Sequence, residues 1–259
     1  MPAWRPSLTS PSTDRRWTII RRYVEVQRGY LRNPLPAHAW ICPTCRGVRG
    51  EGYSLCFRCQ SHLTRSNGLL ADLVLPISYS PRTGQHHHNL RTYKGTARSE
   101  QAQRSLLALL LLFLRDHLDC VAARTGASPT HVITVPSTRN SLGPHPLTDL
   151  VGARLRLPWI VSGVNPSYGS DDHDFHADWF SPALPPSPEP VHALILEDTW
   201  TTGARVQSLA YALKAAGATT VAAVVLGRHV DPTYPPARRL MDAITSPVFD
   251  TARCVLEAD

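Results

Sequence analysis

Apolar residues recur along this chain in two rhythms. Val206, Leu209, Ala210 and Leu213 fall at i, i+3, i+4 and i+7, the stripe of one helix face, and Gly217 stands where that helix should end. Ahead of it, residues 193–196 form a short aliphatic run, bounded upstream by proline-rich sequence and closed by Glu197 and Asp198. Such a run predicts a buried parallel strand ending at the acidic pair, and residues 220–226 predict a second. Thr199, Thr201, Thr202, Gly203 and Ala204, between strand and helix, are small or hydroxylated. Their backbone N–H groups can close on an anion where the helix dipole also favours negative charge.

The same reading extends over the rest of the chain. Residues 69–79 predict a strand, 98–124 a long helix with a nearly continuous leucine centre that must be buried, and 131–135 another strand. The PSTRN loop at 136–140 follows that strand, residues 145–155 predict a helix and 158–161 a short strand. His86, His87 and His88 are adjacent, point in different directions and predict a polar turn. Residues 162–190 hold six prolines and read as a long loop of the kind that forms a lid. Near the start, Thr13 or Asp14 can cap a short basic helix. These elements give an α/β fold, a parallel sheet with flanking helices. The expected units are a basic segment at 1–36, a small ribbon at 37–66 and the main domain at 67–259.

Charge is unevenly placed. The formal net charge is +7, yet residues 1–66 alone carry eleven arginines against three acidic residues. Arginines interleaved with Trp17, Tyr23 and Tyr30 suit single-stranded nucleic acid, or else pack their aromatics on a neighbouring domain and leave the charges in water. Lysine occurs twice, at Lys94 and Lys214. Lys94, between Tyr93 and Gly95 at the entrance of the long helix, either meets a phosphate or is solvated. The longest apolar run, 106–114, is nine residues, well short of the roughly 20 that cross a bilayer, and no leader pattern is visible, so a cytoplasmic protein without a membrane span is expected.

Cysteine spacing adds a metal. Cys42 and Cys45, then Cys56 and Cys59, form two CxxC pairs ten residues apart, each able to set two thiolates on one knuckle. Four filled positions leave none for catalysis, so the reading is a structural Zn²⁺ in a Cys₄ ribbon. Cys120 and Cys254 stand apart in sequence and read as core packing.

Ile195, Leu196, Glu197, Asp198, Thr201, Thr202, Gly203, Ala204 and Arg205 resemble the PRPP-binding motif of type I phosphoribosyltransferases: an aliphatic strand, two acids, a Thr/Ser-Gly loop and a helix. Thr199 and Trp200 depart from that pattern, and Trp200 is expected to reshape the ribose end of the pocket. The resemblance implies that Glu197 and Asp198 hold the ribose hydroxyls and serve catalysis, and that Thr199, Thr201, Thr202, Gly203, Ala204 and Arg205 hold the 5-phosphate. It further implies that Ser137, Thr138 and Arg139, with Lys94 as a further candidate, hold the diphosphate together with Mg²⁺. The order Cys₄ ribbon, YKG, VPS loop and PRPP motif resembles the ComF family over about residues 40–230, although the RGFN segment common after the proline loop is replaced by SLGPHPL. Two functions follow from it: phosphoribosyl transfer to an unidentified nitrogen acceptor, or a non-catalytic competence protein that binds single-stranded DNA or a protein partner.

Overall fold

The computed structural model describes residues 11–95, 97–137, 145–169 and 171–256. Its centre is a four-stranded sheet in the order β1 (Leu73–Pro81), β6 (Thr220–Val230), β5 (His192–Trp200) and β2 (His131–Thr134), and every pair is parallel. Parallel strands bury both faces, which is why they read as continuous aliphatic runs rather than alternating ones. Side chains still alternate between faces. Leu194 and Leu196 of β5 with Ala222, Val224 and Leu226 of β6 join one core, and Ala193 and Ile195 with Val221, Ala223 and Val225 join the other.

The first core is closed by α4 (Glu100–Thr125) and, outside it, α1 (Pro11–Glu25). Because α1 covers the outer face of α4, leucines on nearly every side of α4 are buried, as its composition requires. Arg21 donates to Asp116 at 2.5 Å and the Arg115 guanidinium lies 4.8 Å from the centre of the Trp17 ring. Ser99 accepts a hydrogen bond from the Ala102 N–H at the start of α4, and Gly126 ends it with a left-handed φ of 79°.

The second core is closed by α6 (Ala204–Ala215), by the cysteine ribbon and by an antiparallel hairpin of β3 (Val161–Val164) and β4 (Phe180–Ala183). Val206, Leu209, Ala210 and Leu213 are all buried, as their spacing requires. α2 (Phe57–Arg65) begins directly after Cys56 and contains Cys59.

Three expectations are corrected. The histidine tract is no turn; it lies in α3 (Gln85–Thr92), where His86 is buried with Nε2 3.0 Å from the Leu226 carbonyl, His87 faces His229 and His88 is exposed. Gly227 permits this helix to close on the sheet, since a Cβ there would sit 2.3 Å from Leu90 Cδ1. Residues 158–161 give the main sheet only an isolated bridge from Trp159 to Val132, and Val161 already opens β3 of the hairpin. β5 runs past the acidic pair to Trp200, with Thr199 paired to Gly227, so the anion loop is shorter than predicted. The helix expected at 145–155 is α5 (Pro146–Val151) followed by a 3₁₀ turn at Gly152–Arg154, and α7 (Arg238–Thr245) follows β6.

Candidate functional site at the carboxyl edge of the sheet

Parallel strands gather their carboxyl ends on one edge, the usual crevice of an open α/β sheet. Glu197 and Asp198 lie near the end of β5 there. As neighbours on a regular strand they leave it on opposite faces. Asp198 shares the side of Leu194 and Leu196 and meets the end of α3. Its Oδ2 accepts from the Tyr93 hydroxyl at 2.6 Å and from Lys94 Nζ at 2.5 Å. The Asp198 side chain is 4% exposed and that of Lys94 is 38% exposed, so the acid is fixed and the base can swing away.

Electrostatics separate the two acids. Burial alone would push Asp198 up, but Lys94, the neighbouring His145 and the two hydrogen bonds outweigh it and hold the carboxyl below the ordinary range. Glu197 has no such partners. Burial first, then the Asp198 charge, pushes it up to about 8, despite Lys94, Arg205 and the Thr199 N–H pulling the other way. Its Oε2 is buried and unpaired. Their surroundings thus push the two acids in opposite directions, an arrangement found at functional sites.

The sign of the pH effect follows. A raised acid stabilises the fold below its unfolded value and loses that contribution as pH rises through the folded one. Stability should therefore decline between about 4.5 and about 8 through Glu197, whereas Asp198 contributes the opposite limb and is lost in acid. Denaturation of the wild type and Glu197→Gln across pH 5–9 should show the decline in the first and a flatter profile in the second. Parallel profiles would refute the assignment.

Trp200, at the strand end, is buried beneath the loop rather than facing a pocket. Gly203 starts α6 at φ 83°, and a Cβ there would stand 2.1 Å from the Trp200 ring. Both facts demand glycine. Gly203→Ala is expected to cost about 1–3 kcal/mol in denaturant unfolding, and an unchanged midpoint would contradict this packing. Thr202 Oγ1 donates to the His173 carbonyl at 3.2 Å and lies 3.4 Å from the Ala204 N–H, while His176 N–H donates to Ser208 Oγ on α6 at 3.0 Å. His173 and His176 are therefore seated against the loop at 201–203 and α6. The Arg205 guanidinium lies 5.7 Å from the Trp179 ring and carries charge toward Glu197 and His145.

His145 was not singled out by its sequence context, which showed only a helix start. Its Nδ1 accepts from the Leu147 N–H at 3.1 Å, which caps α5, and burial lowers its pKa although Asp198 lies near. A cleft of about 280 Å³, lined by Arg98, Gln103, Pro146, Asp149, Leu150 and Arg154, opens beside the same helix start. Of the expected diphosphate residues, Ser137 is half-buried just past β2 on the same edge, while Thr138 and Arg139 lie outside the described residues. Lys214 is structural, paired with Asp72, which also accepts from the Val221 N–H.

Beside this site the four ribbon sulfurs lie within 4.8 Å of one another, close enough to hold one metal ion. Backbone N–H groups of Gly47 and Cys56 point at Cys45 Sγ (3.4 Å) and Cys42 Sγ (3.5 Å), as suits thiolates. Arg228 of β6 links the two centres: it donates to the Cys45 carbonyl at 3.0 Å and to the Trp200 and Thr201 carbonyls at 3.3 Å. Close approach of Gly47 makes room for it, since a Cβ there would meet the guanidinium at 2.3 Å. Sequence alone gave Arg228 no distinction.

The chain matches no family model, no curated protein and no solved structure.

Proposed function

We propose that this chain is a phosphoribosyltransferase-like protein of the type I fold and ComF-like organisation, which binds PRPP with Mg²⁺ and carries a structural Zn²⁺ in its Cys₄ ribbon. One observation carries the reading: a buried Asp198 carboxyl, bonded by the Tyr93 hydroxyl and Lys94, and the adjacent Glu197 stand at the strand end ahead of a left-handed Gly203 that opens α6. A carboxylate at a strand end accepts ribose hydroxyls, and the loop plus helix N-terminus accepts a phosphate, which are the two halves of a ribose 5-phosphate.

In this reading Thr201, Thr202, Gly203, Ala204 and Arg205 hold the 5-phosphate, and Thr202 exchanges its bond to His173 for one to the ligand. Thr199, being part of β5, contributes backbone support to Glu197 rather than a loop contact. Lys94 leaves Asp198 for the diphosphate alongside Ser137, Thr138 and Arg139, and Tyr93 keeps the Asp198 carboxylate in place. Mg²⁺, when bound, would neutralise charge on the diphosphate as it departs. The Asp198 carboxylate near C1 favours the positive charge that develops on the ribose as the bond to diphosphate loosens, and a nitrogen acceptor then attacks.

The competing reading, a basic module for single-stranded DNA, loses support from the packing of α1. Arg21 pairs with Asp116, Arg28 just past α1 donates to the Phe249 carbonyl, and Arg115 lies over the Trp17 ring, so these three residues serve packing against α4 and the C-terminal segment. Following diphosphate release from PRPP against a set of amines tests the proposal. Magnesium-dependent release with one acceptor is the expected result; PRPP left intact and unbound would overturn it.

A further inference from the structure

Cys120 and Cys254, read from sequence as isolated core residues, meet in the fold. Their sulfurs and a ring nitrogen of His117 all lie within 4.8 Å of one another, outside the Cys₄ ribbon. We propose that His117, Cys120 and Cys254 form a second metal site, for a zinc-class d¹⁰ ion, that fastens the C-terminal segment to α4. It is independent of the PRPP reading.

The orientation of His117 carries the argument together with that convergence. His117 Nε2 lies 3.1 Å from the Thr251 carbonyl. A carbonyl only accepts, so Nε2 bears the proton and Nδ1 keeps its lone pair. Nδ1 is the nitrogen that faces Cys120, with Sγ at 4.0 Å. Metal-binding imidazoles are typically oriented in this way, one nitrogen donating to a backbone carbonyl and the other turned toward the metal position. Two thiolates and a neutral imidazole are a soft donor set suited to zinc, and two thiolates cancel the charge of a divalent ion, which favours a buried site. His117 and Cys254 are buried, whereas Cys120 is half-buried and leaves a side for entry and for a fourth ligand.

The fold presents these ligands from separate elements. His117 and Cys120 are one helical turn apart on α4, and Cys254 belongs to the segment after α7, which has neither helix nor strand. Other bonds hold that segment against α1 and the stretch that follows it: Arg21 donates to Thr251 at 3.2 Å, Arg28 to the Phe249 carbonyl at 2.9 Å, and the Asp250 N–H to Asn33 at 2.7 Å. Position is thus set by groups that are not ligands, which is how a preorganised site is built.

The test is metal counting by elemental analysis on full-length protein purified without chelator and reloaded with zinc, comparing wild type with Cys120→Ala/Cys254→Ala. The variant should contain one zinc equivalent fewer per chain, whatever the occupancy of the ribbon. His117→Gln, which keeps both thiols, should weaken retention of that equivalent against a chelator at least tenfold. Intact mass of the wild type guards against a folding failure of the variants: it should show both thiols reduced in the metal-free denatured protein. Equal metal content in wild type and double variant, or loss of two hydrogens marking a Cys120–Cys254 disulfide, would overturn the proposal.

Discussion

Cys42→Ser/Cys45→Ser is expected to lose the ribbon metal and a large part of the stability of the protein. A structural metal ion contributes its binding free energy to folding, about 10–16 kcal/mol in small zinc modules. A chain of this size has another core to rely on, so the expected loss is smaller, roughly 5 kcal/mol, which lowers the melting temperature by about 10–20 °C. The cluster is no appendage. Cys42, Cys45 and Cys59 are packed in the same core as Val74, Trp200 and Leu209, and Arg228 joins the Cys45 carbonyl to the carbonyls of Trp200 and Thr201. Loss of the ribbon should therefore loosen the anion loop too. Hydrogen exchange at residues 200–206 should accelerate in the variant; wild-type exchange and wild-type melting together would show that the ribbon and the loop are uncoupled.

Asp198→Asn should have the largest effect on ligand binding with a small effect on the fold. Asparagine keeps an oxygen for the Tyr93 hydroxyl, and Lys94, 38% exposed, can turn to water, so no buried charge is stranded. What disappears is the carboxylate that Lys94, His145 and Tyr93 hold ionised. Removing the charged partner of a buried hydrogen-bonded contact typically costs about 2–5 kcal/mol of binding. PRPP affinity should then fall by more than about 30-fold at unchanged melting temperature. Asp198→Ala, which also strands the Tyr93 hydroxyl, should in addition be less stable by about 1–3 kcal/mol.

Much of this was visible in the residues, for identifiable reasons. The β5–α6 unit declared itself because a buried parallel strand is continuous in aliphatic residues and an amphipathic helix is not, and both rules operate locally. The CxxC pairs did so because ligand spacing is fixed by a knuckle of a few residues. α3 did not, since its buried face is made of His86, Asn89 and Leu90, and a histidine bonded to a carbonyl looks polar in sequence. Trp200 was misjudged for a similar reason: its place under Gly203 depends on where β5 ends, and strand ends are set by pairing with β6. Tyr93 lay beside Lys94 in the YKG segment, yet its hydroxyl on Asp198 is a contact between elements that no local pattern records. Likewise, Cys120 and Cys254 come together only because the segment after α7 returns across α4.

Asp198 and the Gly203 loop are proposed to form a PRPP–magnesium pocket. The most direct measurement is calorimetric titration of the metal-loaded protein with PRPP, with and without Mg²⁺, beside Asp198→Asn. Saturable binding that requires magnesium, and that is lost in the variant while its melting temperature holds, is the expected result. Absence of heat from a folded wild type, or equal binding by wild type and Asp198→Asn, would contradict it.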